Sequence, residues 1–422
     1  MSIPSYLRPS AASPAFFPTH SVISRSPLNR GPVRSAYTPP VFSLRRFLLR
    51  ATILSGGVGL LGLATSAHAQ HHYLQTNLVS DLPGWAPVTD PHLVNPWGLS
   101  RSATSPWWVS ANGTGLSALY NGTGAVQALV VTVPNSMGVT DPSGPTGTVF
   151  NGSSDFQVGP NQPARFIFAT EQGTISGWNP AAAPVLAVNK VDTPGKAVYK
   201  GLALGQIGTA NYLYAANFFT GKVDVFDTNY APVNLGAGAF LDSHLPKGYA
   251  PFNVQAIGDK IFVTYAKQDA DKIDEVDGRG RGFVTVFTTS GVLSMRLKWG
   301  PWFNAPWGVA LAPADFGRFS NMVLVGQFGS GKIAAFDPTN GKFRGLVRSP
   351  DHRAVKIDGL WALSFGNGAA AGPTNSLYFS AGINAEAHGL FGTLTALTDV
   401  PHKGKDACDG DDDDDDGHDH QD

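Results

Sequence analysis

The 422 residues include 49 glycines and 31 prolines, with 42% hydrophobic, 11% aromatic and 14% charged side chains; this suits many short strands joined by tight turns around a large core and excludes a disordered chain. Charge is segregated: residues 1–69 hold seven arginines and no acid, residues 401–422 hold ten aspartates, and residues 70–400 hold 21 basic and 21 acidic groups. The neutral body excludes nucleic acid, whose phosphates need a basic surface, and the single cysteine, Cys408, excludes an intrachain disulfide, so stability must come from core size.

In chain order, Arg45, Arg46 and Arg50 precede the apolar stretch Ala51–Ala64 and the small-residue site Ala67-His68-Ala69. These are the three parts of a signal peptide, cleaved near Ala69, and they predict an extracytoplasmic protein, secreted or periplasmic. The apolar part is too short and too rich in glycine for a transmembrane anchor. The long, acid-free stretch before Arg45 also fits an organelle transit peptide, and the arginine pair does not separate the twin-arginine route from general export.

After the leader, Tyr73–Val79 reads as a strand, and a pattern then recurs: an apolar segment, a β-rich strand, a glycine turn and a second strand. The hairpins run from Trp107 to Tyr120, Arg165 to Trp178, Tyr212 to Asp227, Ile261 to Phe287, Met322 to Asp337 and Leu377 to Ala396. Aligned on Gly98, Phe150, Gly201, Asn253, Gly308 and Ala362, the six copies recur every 51–55 residues. That period, with several short strands per unit, predicts an all-β, six-bladed β-propeller of four-stranded antiparallel blades over residues 70–400. Segments such as Val126–Val133 and Lys342–Arg348 supply fourth strands, and the strand from Tyr73 closes the ring, which removes a free sheet edge. The chain is expected to be a monomer, and residues 401–422 are expected to form a disordered acidic tail.

Asn95-Pro96-Trp97-Gly98, Ala305-Pro306-Trp307-Gly308, the Tyr214–Asp227 hairpin and Tyr265–Lys272 resemble a family of exported proteins without a characterised function. That family is similar in turn to NHL and gluconolactonase-type six-bladed propellers. The resemblance implies fold and export over about residues 73–398, and no activity. The metal ligands of the lactonase-type relatives do not match residue by residue.

In a propeller, the loops entering first strands and those joining second to third strands share one face, where ligands seat. That placement nominates Trp97, Glu171, Asn217, Phe219, Trp307, Gln327, Trp361, Glu386 and His388. The three tryptophans form either an aromatic lining or packing between blades. Glu386 and His388 form either an acid–base pair or an ordinary polar loop. Asp269, Asp271, Asp274 and Asp277 lie close enough in sequence to wrap Ca²⁺ or another divalent cation, although Asp274 stands where an EF-hand requires glycine; Lys272, Arg279 and Arg281 can instead neutralise a solvated loop. Gly326–Lys332 mimics a phosphate-binding loop but is followed by Ile333 and lies between two strands, which excludes nucleotide binding there. The residues point to a binding or interaction module for an extracytoplasmic ligand or protein. A metal-dependent hydrolase of the lactonase type is the alternative, and whether the chain is an enzyme stays open.

Overall fold

A computed structural model describes residues 72–397; the leader, with its cleavage site near Ala69, and the acidic tail lie outside the described residues. Six blade sheets follow one another along the chain, with a small two-stranded sheet, Gln157–Gly159 against Gln162–Pro163, in a loop of the second. The first blade comprises Pro96–Ser100, Trp107–Ala111, Leu116–Tyr120 and Val126–Thr132, and the second Pro145–Phe150, Phe166–Thr170, Thr174–Trp178 and Val188–Asp192. The third comprises Tyr199–Ile207, Ala210–Asn217 and Lys222–Phe226, and the fourth Tyr249–Ile257, Lys260–Lys267, Phe283–Thr288 and Leu293–Arg296. The fifth comprises Pro306–Leu311, Val323–Gln327, Ile333–Phe336 and Phe343–Leu346. The sixth combines Leu360–Phe365, Ser376–Ile383 and His388–Ala396 with the N-terminal strand Tyr73–Ser80, which pairs antiparallel with the last strand from Tyr73↔Ala396 to Ser80↔Leu390. The chain is therefore a six-bladed propeller closed by the first strand of its described residues.

Burial follows position in the blade. Second strands such as Trp107–Ala111 and Phe166–Thr170 are buried at every residue, because neighbouring blades cover both faces. The outer strand Val126–Thr132 is mostly half-buried or exposed. In the third blade the fourth-strand position holds a bridge, Phe226↔Pro232, with its two bonds from Val233 N to Val225 O at 2.7 Å and from Asp227 N to Ala231 O at 2.9 Å.

Each of the six inner strands carries a β-bulge at the same place. The register shifts between Pro96 and Leu99, across Pro145–Thr148, between Tyr199 and Gly201, between Pro251 and Asn253, between Pro306 and Val309, and between Leu360 and Leu363. A bulge adds one residue to one strand and re-aims its side chains. The bulges make Thr146-Gly147 the second-blade counterpart of Trp97-Gly98, so Phe150, which the repeat alignment used, lies three residues further along. The glycines permit close approach between blades: a Cβ on Gly201 would lie 2.1 Å from Asn253 Oδ1, and one on Gly308 2.4 Å from Trp361 O.

Candidate functional site

The bulges place one residue from each blade at corresponding positions on the inner strands: Trp97, Thr146, Lys200, Phe252, Trp307 and Trp361. Trp97, Phe252, Trp307 and Trp361 belong to one buried cluster with Phe218. Trp97 stacks on Trp361 with centroids 3.5 Å apart, and Trp307 meets both edge-on at 6.1 and 5.8 Å. The indole of Trp307 donates to Lys200 O at 2.9 Å, and that of Trp361 to Asn95 Oδ1 at 3.1 Å. Trp97 Nε1 is buried and has no acceptor among the described residues.

Lys200 is the charged member of this set, and its side chain is 1% exposed. A buried ammonium requires counter-charges. Its Nζ donates to Glu171 at 2.5 Å and to Asp274 at 3.1 Å, and lies 5.1 Å from the centroid of the Trp97 ring. Burial pulls its pKa down, but Glu171, Glu275 and Asp274 outweigh burial and leave it above the ordinary lysine range.

The carboxylates come from second-to-third-strand turns of alternate blades. Glu171 lies in the tight turn of the second blade and also accepts from Asn112 Nδ2 at 2.8 Å. Asp274 and Glu275 lie in the long insertion of the fourth blade, folded back by Asp269 N to Asp274 O at 2.8 Å and Val276 N to Lys267 O at 2.7 Å. Glu386 lies in the sixth blade, in a turn where Asn384, Ala385 and Glu386 all have positive φ, 55°, 51° and 65°. Left-handed backbone costs about 1–2 kcal/mol per non-glycine residue, and such strain collects where a side chain must be aimed. Here it carries Glu386 to Asn95, whose Nδ2 donates to it at 2.7 Å. Burial pushes Glu275 up to about 7, with Lys200 opposing and Glu386 and Asp274 reinforcing. Burial also raises Glu386, against the Asn95 hydrogen bond.

Beside this network a pocket of about 460 Å³ opens to solvent. Glu171 and Asp274 line it together with Phe219, Val139, Ile273 and Val198. Phe219, Val139 and Ile273 are 36%, 47% and 46% exposed.

Of the residues nominated from sequence, Trp97, Trp307, Trp361, Glu171, Asp274 and Glu386 belong to the axial cluster or its shell, and Phe219 lines the pocket. Asn217 holds its own turn, accepting from Thr220 N at 3.2 Å and donating to Asp224 at 2.8 Å. Gln327 is buried and accepts from Asn304 N at 2.9 Å. His388 Nδ1 meets Asp81 at 2.7 Å, whereas Glu386 takes Asn95, so the two residues have different partners. In the acidic loop, Asp269 accepts from Ile273 N at 3.0 Å, Asp274 bonds Lys200, and Asp271 and Asp277 are exposed. Among the described residues no three His, Cys, Asp or Glu side chains form a group that can hold a metal ion. An ammonium lies between the carboxylates that do approach each other, an arrangement that does not fit a metal centre.

Sequence reasoning missed Lys200, Asn95 and Asn112, and it read Glu275 only as one more acid of the 269–278 insertion. The signal for Lys200 was its place before the repeat glycine, matching Trp97 and Trp307.

No family model matches the sequence. The chain is 31% identical over 330 residues to the uncharacterized protein L690 of Acanthamoeba polyphaga mimivirus, covering 75% of this chain and 84% of that protein. It is 31% identical over 331 residues to the uncharacterized protein R648 of the same virus, covering 75% and 78%. Among solved structures it is similar to a streptogramin B lyase, at 11% identity and TM-score 0.46 over 77% of this chain and 98% of that one. It is similar also to a glucose dehydrogenase, at 13% identity and TM-score 0.46 over 77% and 100%.

Proposed function

The chain belongs to one family with the mimivirus proteins L690 and R648, and from that premise we propose that it is an exported binding propeller whose ligand seats in the pocket beside Glu171 and Asp274. The observation that carries this reading is Lys200. Its ammonium takes up the axial carboxylates as a resident counter-ion, while the adjoining pocket leaves Phe219, Val139 and Ile273 partly exposed. A concave site with apolar walls and a few convergent polar groups is the usual form of a ligand site. The arginines, apolar core and Ala67-His68-Ala69 of the leader support export. Among the described residues no helix is long and apolar enough to cross a membrane.

The competing reading is a metal-dependent hydrolase with Asp269, Asp271, Asp274 and Asp277 as ligands. Its support is the excess of acid over base in that loop, and Asp274 is the one of the four that reaches the axis. Elemental analysis of the purified chain, with melting curves run with and without chelator, separates the two. The binding reading expects no stoichiometric divalent ion and an unchanged Tm. One tightly held ion per chain, whose removal lowers Tm, would contradict it and favour the hydrolase.

A further inference from the structure

We infer that the pocket takes an amphipathic organic cation, with an ammonium head against Glu171 and Asp274 and an apolar body against Phe219, Val139 and Ile273. The inference rests on the binding reading above and specifies the ligand class for that site.

Charge selects the head. Four carboxylates, Glu171, Asp274, Glu275 and Glu386, surround one ammonium, and two of them line the pocket. An anionic ligand would meet this excess of negative charge. Lys200 offers an anion little, because it is 1% exposed, already bonded to two carboxylates and faced by the Trp97 and Phe218 rings. The walls select the body. Apolar side chains left open to water in a concavity gain about 25 cal/mol per Å² when covered, and an aromatic ring beside carboxylates suits an ammonium better than a neutral polar head. A bare divalent ion would need six or more oxygens, whereas much of this pocket is apolar.

Binding is coupled to protons. Glu275 faces Lys200 of the third blade, Glu386 of the sixth and Asp274 of its own loop; Glu386 faces Asn95, Glu171, Lys200 and Asp274. A new positive charge favours the ionised form of both glutamates, so binding releases protons and tightens as pH rises through about 7.

The test is a melting-curve series on the full chain with phenethylammonium, phenethyl alcohol, 3-phenylpropionate and Ca²⁺ alone, each at millimolar concentration. Phe219→Ala and Asp274→Asn serve as variants, because both side chains are at least one-third exposed, and the unliganded Tm of each is the baseline against which its shift is read. The expected result is a saturable rise in Tm with phenethylammonium, larger above than below pH 7, and about tenfold weaker binding in each variant. A comparable rise with the alcohol or the carboxylate, lost in Phe219→Ala, would overturn the cation assignment and leave the binding reading standing. No rise with any compound would also overturn the assignment. A rise with Ca²⁺ alone, lost in Asp274→Asn, would overturn both.

Discussion

Where the first, fifth and sixth blades place tryptophan on the inner strand, the third places Lys200, and that single difference brings charge into an otherwise uncharged, mostly aromatic set. The consequence reaches Glu275, whose carboxyl is pushed up to about 7, first by burial and then by Glu386 and Asp274, against Lys200. The folded chain thus holds this proton more tightly than an unfolded glutamate does. The stability it contributes is fully present below the ordinary glutamate value of 4.5 and is lost as pH rises through about 7. Glu386 is shifted in the same direction. Glu275→Gln should therefore flatten, without abolishing, the fall in Tm across that window, and melting curves from acid to mildly alkaline pH test it; parallel curves for variant and wild type would refute the assignment. Glu171 and Glu386 were legible in the sequence because each sits in a turn whose position the repeat defines. Lys200 was not, since a lysine beside a glycine reads as solvated, and its burial is imposed by Trp97 and Trp307, about a hundred residues away on either side.

At the scale of elements, the inner-strand bulges aim the axial side chains and the N-terminal strand holds the ring closed. Tyr73 is buried in the core between the fifth and sixth blades; its hydroxyl donates to Phe316 O at 2.9 Å and accepts from Phe319 N at 3.1 Å. Without Tyr73–Ser80 the strand His388–Ala396 would become an open edge, and such edges invite pairing between chains. Deleting residues 73–80 should lower Tm, broaden the transition and shift part of the protein to oligomers on size exclusion; a sharp, monomeric, wild-type transition would contradict the closure. The strands and their order were readable because glycine turns and β-branched runs are local signals. The second blade was misaligned because Thr146-Gly147 lacks the aromatic residue that marks Trp97-Gly98, and only the bulge reveals the equivalence.

Across the whole molecule, Glu171, Asp274 with Glu275, and Glu386 reach inward from the second, fourth and sixth blades, and Lys200 of the third bonds two of these carboxylates directly. Blades separated by more than seventy residues are thereby coupled through one ammonium, and the open pocket lies beside that junction. The same tie joins stability to binding, because the charges that hold Lys200 also face the pocket. Denaturant unfolding of Lys200→Met, Glu171→Gln and the double variant measures this coupling directly. Each single change should cost about 3 kcal/mol or more by stranding a buried charge, and the double should cost less than the sum by about 1–3 kcal/mol. Costs that add to within about 0.5 kcal/mol would show that the ammonium and the carboxylate act independently, and the axial junction would then not be what ties the blades together.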